Sequence, residues 1–258
     1  MFVPEAAGTG FITVQNNNGD KIKSENMLTV RYAFKGVMYY EKKPYHTILA
    51  DTNGNGGYTW SIADNFSSIN NARDIFIQAV SKWNCVAGVN WDIEYPVPAN
   101  SAVIDGINLI TFDDENTLPD GVLGQTSTRS SYIIVNRKIV LYAEEIDIVF
   151  SKNINWYFGT DTPDFSQYDF ESVVLHELGH AHQLGHVIDL NDIMYWNIGN
   201  GKTRRDFNQN IQEAAEIIID ESIADNEIIP PMTRDLKKEC IKLEYVIDIL
   251  KLITGKQV

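Results

Sequence analysis

The chain has 258 residues, of which 44% are hydrophobic and 11% aromatic, so it can bury the core of one large domain with appendages. It carries 35 acidic and 21 basic residues, a formal net charge of −14, and lacks a stripe of cations for phosphates, which argues against nucleic acid as a partner. No run of about 18 apolar residues is present, so we predict no transmembrane segment.

The pattern of residues 1–57 predicts short strands separated by turns. We expect the strands at FITV (11–14), MLTVRYAF (27–34) and YHTIL (45–49), with turns at NNNGD, KGV and DTNGNGG. The start of the chain lacks the basic end and apolar run of a signal peptide, which leaves two alternatives: a cytosolic protein, or a form from which a signal has been removed.

The turn at DTNGNGG has the opening of a calcium-binding loop. Asp51, Asn53 and Asn55 alternate there before a glycine, as oxygen ligands do in such loops. The acidic closing residue expected six positions after that glycine is Ile62, although Asp64 is near. An ordinary Asn/Gly turn is the alternative, and we favour it.

The middle of the chain alternates strands and helices. A strand at YTWSIA (58–63) precedes a helix over 70–83, with Asn70 or Asn71 as its N-cap, and further strands are expected at 89–97, 107–112, 122–130, 132–143 and 145–150. Asp169 is expected to cap a helix that has Glu171 in its first turn. Another helix over 210–219 is entered from Asn208 or Asn210.

The end of the chain is set apart by a Pro-Pro pair at 230–231. Behind it, apolar residues recur at alternating spacings of four and three, which predicts one amphipathic helix. The two cysteines, Cys85 and Cys240, are either joined by a disulfide or remain two reduced thiols.

Four of the five histidines lie in VLHELGHAHQLGH (174–186). Residues four apart on a helix are about 40° apart around its axis and roughly 6 Å along it, so His176 and His180 can bind one metal ion. Glu177 lies about 100° from His176, where it can reach a water on that metal without being a ligand. His182 lies on the other side of the helix and is expected to pack.

His186 can join this site only if the helix ends. On a continuous helix it would lie about 15 Å beyond His176, whereas zinc ligands lie about 2.0–2.1 Å from the ion. We therefore predict a turn after His180, with Gly185 as a candidate for its left-handed position. Three neutral imidazoles would leave zinc an open fourth position, which is typical of a catalytic site.

HELGHAHQLGH followed by IMY resembles the signature of the metzincin zinc peptidases, HExxHxxGxxH with a downstream Met-turn. Met194 follows His186 by eight residues, a spacing similar to that of the matrixin branch. YTWSIA, the helix that ends in Trp83 and EIDIVFSKNINW also resemble matrixin elements, so the resemblance covers about residues 58–225. It implies an α+β metzincin fold with a twisted mixed five-stranded sheet, an active-site helix, a backing helix and a C-terminal helix after the Met-turn.

The resemblance also implies the roles of individual residues. His176, His180 and His186 match the zinc ligands, and Glu177 matches the general base and acid that works on a zinc-activated water. Substrate would lie extended along an edge strand over 121–126, where Leu123, Gly124 and Gln125 would contact it. Tyr195, Trp196 and the loop NIGNGKTRR (197–205) would set the side-chain preference.

Three departures distinguish the chain from vertebrate matrixins. The family's glycine at the seventh position after the first histidine is Gln183, the residue after the third ligand is Val187, and the His-rich loop that binds structural zinc is missing. The last two suggest a divergent, bacterial member. A left-handed Gln183 would cost about 1 kcal/mol or somewhat more, which is small beside the energy of metal binding, so we expect the turn to form.

These observations predict a secreted zinc endopeptidase, a monomer, that takes peptide or protein substrates. Its parts would be a β-rich N-terminal extension (1–57), which is either a pro-segment that blocks the zinc or added sheet, a catalytic domain (58–225) and a helical C-terminal extension (226–258). A catalytically silent adhesion or surface-binding protein on the same scaffold, and a self-inhibited zymogen, are the alternatives. The retained Glu177 argues against the silent scaffold.

Overall fold

A computed structural model describes residues 8–40, 43–98, 101–135 and 137–224. The predicted helix behind the Pro-Pro pair and Cys240, with its pairing to Cys85, lie outside these residues. The strands are β1 (Gly10–Gln15), β2 (Lys21–Leu28), β3 (Met38–Tyr40), β4 (Lys43–Tyr45), β5 (Thr47–Ile48), β6 (Thr59–Ala63), β7 (Asp92–Val97), β8 (Asn108–Phe112), β9 (Gly124–Val135), β10 (Lys138–Phe150), β11 (Trp156–Tyr157) and β12 (Tyr168–Asp169). The helices are α1 (Asp64–Ser67), α2 (Asn70–Ala87), α3 (Phe170–Ala181) and α4 (Gln209–Ala224).

The central sheet follows the order β5-β10-β8-β6-β7, and β9 pairs with β10 as a sixth strand. β6, β7, β8 and β10 are parallel, whereas β9 runs antiparallel to β10 along its whole length. β10 meets β8 and β5 at its other edge, so the far edge of β9 pairs with no strand among the described residues. The sheet that was predicted to have five strands thus has six, because the two-residue β5 adds to β6, β7, β8, β9 and β10.

The β9–β10 hairpin corrects the predicted single strand over 132–143. The chain reverses at Arg137, which has a positive φ of 67°. The turn was missed because the apolar pattern continues across it and no glycine marks it. The predicted strand over 27–34 was also wrong in part, since β2 ends at Leu28 and residues 33–35 bond to the turn after α3.

α2 packs behind α3 on one side of the sheet. The indole Nε1 of Trp83 donates to the carbonyl of Leu175 in α3 at 3.1 Å, and both residues lie in one core with Trp60 and Phe170. The predicted N-caps of α2 were wrong: Ile69 is the N-cap and no side chain bonds there. Its carbonyl already accepts the first helical bond, from Arg73, directly after α1 ends.

Part of the N-terminal region packs against the sheet and α4. β5 pairs with Leu141 and Tyr142 of β10, and the backbone N–H of Leu49 donates to Ser222 Oγ in α4 at 3.0 Å. The β1–β2 hairpin is mostly exposed. No helix in the described part of the chain is long and apolar enough to cross a membrane.

Candidate active site

Asp169 is the N-cap of α3, as predicted, and it fixes the start of the helix that carries His176 and His180. The buried carboxylate of Asp169 accepts a hydrogen bond from Ser172 N at 3.0 Å and forms an ion pair with Arg205. Glu171 lies in the first turn, where the positive end of the helix dipole favours a carboxylate. α4 is capped in the same way, because Asn208 Oδ1 accepts from Ile211 N at 2.9 Å.

The helix ends at Ala181, which confirms the predicted turn. Gln183 has a φ of 65° and occupies the left-handed position itself, so the expectation for Gly185 was wrong. The Gln183 N–H bonds to His180 O at 2.9 Å and the Leu184 N–H to Gly179 O at 3.0 Å. These two bonds form a Schellman motif, which satisfies carbonyls at the end of the helix and turns the chain back.

Residues 33–35 of the N-terminal segment form backbone hydrogen bonds to the turn after α3. Gly185 N donates to Ala33 O at 2.7 Å, and Lys35 N donates to Gln183 O at 2.8 Å. Phe34 therefore faces Leu184 across a short antiparallel bridge. These bonds use the backbone groups that a returning chain would otherwise leave unpaired.

The turn brings the ring of His186 to the rings of His176 and His180. The Nε2 atom of His186 lies 3.0 Å from Nε2 of His180 and 3.3 Å from Nε2 of His176. Nδ1 of His176 donates to Ile193 O at 2.7 Å, and Nδ1 of His180 donates to Leu184 O at 2.8 Å. Both Nε2 atoms are therefore lone-pair donors that point at one spot.

This donor set fits a zinc ion. Ligands about 2.0–2.1 Å from a tetrahedral ion lie about 3.4 Å from one another, close to the distances found, and converging lone pairs repel unless a cation lies between them. Among the described residues, these three histidines form the one cluster of three or more His, Cys, Asp or Glu side chains close enough together to share a metal ion. Burial lowers the pKa of His176 to about 4 and that of His180 well below its usual value, which keeps both rings neutral for a metal.

Met194 is buried and packs against Gly179 of α3. A Cβ atom at Gly179 would stand 2.2 Å from Met194 Sδ, so only glycine allows α3 to pack onto this turn. The same turn carries the carbonyl of Ile193 that orients His176. Sequence reasoning found Met194 but missed Gly179, although a glycine inside a helix is a signal because it costs roughly 0.5–1 kcal/mol relative to alanine.

Glu177 is buried beside the start of β9. The hydroxyl of Thr126 lies 2.7 Å from its Oε2 and 2.9 Å from its backbone carbonyl. A Cβ atom at Gly124 would lie 3.0 Å from Oε1, so the small residue there makes room for the carboxylate. Burial raises the pKa of Glu177 to about 7, while the Thr126 hydrogen bond and the charge of Lys35 act in the opposite direction.

A cleft of about 630 Å³ runs past the histidines and Glu177. One wall is the segment 120–126, and the other is formed by residues 193–198 with Arg204. The substrate-contacting residues expected from the sequence all line it: Leu123, Gly124, Gln125, Tyr195 and Trp196. β9 begins at Gly124, so residues 121–123 form the loop that enters this edge strand.

Lys35 enters the cleft from the N-terminal segment. Its Nζ donates to the backbone carbonyl of Thr126 at 2.6 Å, on the edge of β9 that pairs with no described strand. Lys35 was not predicted from the sequence, and Thr126 was predicted only as the last residue of the edge strand over 121–126, without its bond to Glu177. Lys35 is far from the histidine motif in the chain, and only the fold brings it there.

His182 and the suspected calcium loop lie outside the site. His182 is fully buried, donates from Nε2 to Ala215 O at 3.1 Å and packs near the rings of Trp83 and Trp91. Asp51 Oδ1 accepts from Gly54 N at 2.7 Å, Asn53 Oδ1 accepts from Asn55 N and Gly57 N, and the amide of Asn55 donates to Asp92. These bonds favour an ordinary turn and do not support calcium.

A family model described as matrixin matches residues 55–217. The chain belongs to the matrixin family. The match begins before β6 and ends within α4, so it includes strands β6 to β10 of the sheet, the histidine helix and the Met-turn, but not β5. None of the curated proteins matches this matrixin. Membership gives the metzincin fold and supports peptidase activity in general, and the three histidines are placed to bind the zinc of such a peptidase.

Proposed function

We propose that this matrixin is a zinc-dependent endopeptidase that acts outside the cell. The observation that carries the proposal is the convergence of three imidazole Nε2 atoms next to a buried carboxylate, at the base of an open cleft. His176, His180 and His186 would hold the zinc ion. Matrixins are typically extracellular, which supports secretion for this member.

Glu177 would move the proton. When bound, zinc lowers the pKa of a water and polarises the substrate carbonyl. Glu177 would accept the proton from that water as it attacks the peptide bond and would then donate it to the leaving amine. A pKa of about 7 suits both steps, because the carboxylate can take the proton and release it again near neutral pH.

The free edge of β9 offers the place for an extended substrate. Its backbone groups could pair with a peptide as an added strand, in the mode known as β-augmentation. Thr126 O is an acceptor on this edge, and Lys35 Nζ occupies it in the structure. A substrate that pairs at Thr126 would therefore displace Lys35, whereas one that pairs only at Gly124 would leave it in place.

We also propose that residues 29–57 fold together with the catalytic region. Residues 33–35 support the turn that carries His186, and β5 belongs to the central sheet. If these contacts hold the catalytic turn in place, cleavage near residues 40–57 should lower activity, whereas the zymogen alternative expects activity to appear only after such cleavage. The proposed boundary at 57/58 then marks where the family resemblance begins, and it does not separate two folding units.

The test is the Glu177→Ala variant. It should lose hydrolysis of an unfolded protein such as casein while binding zinc with unchanged stoichiometry, measured by elemental analysis. In the unsubstituted protein, a chelator should abolish cleavage and zinc should restore it. Undiminished cleavage by the variant would refute the mechanism. Zinc binding without any cleavage by the unsubstituted protein would favour the silent scaffold.

A further inference from the structure

Arg204 places a cation on the wall of the cleft that follows the Met-turn. Its Nε donates to Leu190 O at 2.7 Å and its Nη1 to Asn197 O at 2.5 Å, while its backbone N–H donates to Ser172 Oγ at 2.6 Å. The guanidinium also lies 4.9 Å from the ring centre of Tyr195. The group is therefore half-buried and held in one position.

The charge of Arg204 has no direct counter-charge in the described part of the chain. No carboxylate there forms an ion pair with it, and its Nη2 makes no hydrogen bond. Burial lowers the pKa of Arg204, and the charges of Tyr195 and Asp192 act in the opposite direction. Asp192 bonds through Oδ1 to Met194 N and through Oδ2 to the amide of Asn208, and it makes no ion pair with the guanidinium. The adjacent Arg205, by contrast, pairs with Asp169 and Glu171.

The rest of the cleft leaves this cation available. The carboxylates that line it are Asp120, exposed in the loop before β9, and Glu177, which is bonded to Thr126. Lys35 adds a second cation on the β9 wall. The lining therefore holds two cations and two carboxylates, whereas the whole chain has 35 acidic and 21 basic residues. Arg204 is partly removed from water and makes no ion pair in the described part of the chain, so a carboxylate that enters the cleft would gain a charged partner.

We infer that this matrixin selects acidic peptides, with a substrate carboxylate side chain bound by Arg204. The inference deepens the proposed peptidase function and rests on it. A planar guanidinium matches the geometry of a carboxylate, and its two carbonyl partners hold it ready without neutralising it. The Tyr195 ring covers part of the guanidinium, which excludes water from the contact and strengthens it.

The experiment uses quenched fluorescent peptides that differ at one position, scanned across four residues on each side of the cleaved bond. Each position carries Glu, Gln or Lys. At one position, kcat/KM for Glu should exceed that for Gln by about tenfold, equivalent to about 1.4 kcal/mol, because Arg204 bonds more strongly to a charged partner than to a neutral one. Salt at 0.5 M should reduce this ratio.

Variants assign the selectivity to Arg204. Arg204→Gln should bring the Glu/Gln ratio to about one, Arg204→Lys should retain part of it, and Arg204→Glu should favour the Lys peptide. Lys202→Met removes one cation from the same loop, at an exposed residue that does not line the cleft, and should leave the ratio unchanged. If Arg204 only clamps the loop, Arg204→Gln slows all peptides equally, and the inference is overturned.

Binding separates failure of this inference from failure of the proposed function. The zinc-loaded Glu177→Ala variant should bind the Glu peptide more tightly than the Gln peptide, measured by fluorescence anisotropy, and Arg204→Gln in that background should abolish the difference. If the unsubstituted protein cleaves nothing but this difference is present, acid recognition stands and peptidase activity does not. Equal binding of the two peptides overturns acid recognition, whatever the cleavage result.

Discussion

The turn at Gln183 gives the sharpest test of how the third histidine reaches the site. Gln183 is buried, its φ is 65°, and its side-chain Nε2 donates to Ala181 O at 3.1 Å. Gln183→Gly removes a left-handed penalty of about 1–2 kcal/mol. It also loses a hydrogen bond of about 0.5–1.5 kcal/mol and adds about 0.5–1 kcal/mol of chain entropy in the unfolded state. These effects nearly cancel, so we expect a change within about 1 kcal/mol.

Gln183→Val should behave differently. A β-branched residue is strained at positive φ, and valine loses the same hydrogen bond without removing the backbone penalty, so the free energy of unfolding should fall by about 2–3 kcal/mol. Urea unfolding of the three proteins, with and without zinc, measures both changes. Because the strain lies between His180 and His186, the valine variant should also bind zinc more weakly. Equal stability of the glycine and valine variants, to within about 0.5 kcal/mol, would refute this reasoning.

Two further predictions concern single side chains near the site. Thr126→Val should lower kcat by roughly tenfold with little change in KM or zinc affinity, because the hydroxyl that orients the Glu177 carboxylate is lost. Thr126→Ser keeps a hydroxyl and should restore kcat. An equal loss of kcat in the serine variant would contradict a positioning role. Arg205→Met should lower the free energy of unfolding by about 3–5 kcal/mol in urea, because it leaves the fully buried Asp169 without a counter-charge. Lys82→Met is its control, because it removes a more exposed cation that pairs with Glu171 and not with Asp169. The free energy of unfolding should fall by less than about 1 kcal/mol in this variant. A larger fall would show that loss of a cation near the start of α3, and not ion pairing at Asp169, is the cause.

Features that depend only on neighbouring residues could be predicted from the amino-acid sequence. The spacing of His176 and His180 with Glu177 between them follows from the pitch of a helix, and the caps at Asp169 and Asn208 follow from their side chains. The need for a turn before His186 follows from distance alone. The reversal at Arg137 was missed because no glycine or proline marks it, and the N-cap of α2 was missed because Ile69 has no capping side chain to signal it.

The way in which distant segments complete the site depends on tertiary packing. The histidine motif contains no information about Thr126, Lys35 or Arg204, because each reaches the cleft through packing of β9, the N-terminal segment or the loop after the Met-turn. Even the left-handed residue of the turn was uncertain from sequence, since glycine is favoured there by local energetics. Gln183 takes that position because bonds from Ala33, Lys35 and the end of α3 fix the chain around it. The left-handed conformation costs about 1 kcal/mol for a residue other than glycine, and several hydrogen bonds together outweigh this cost.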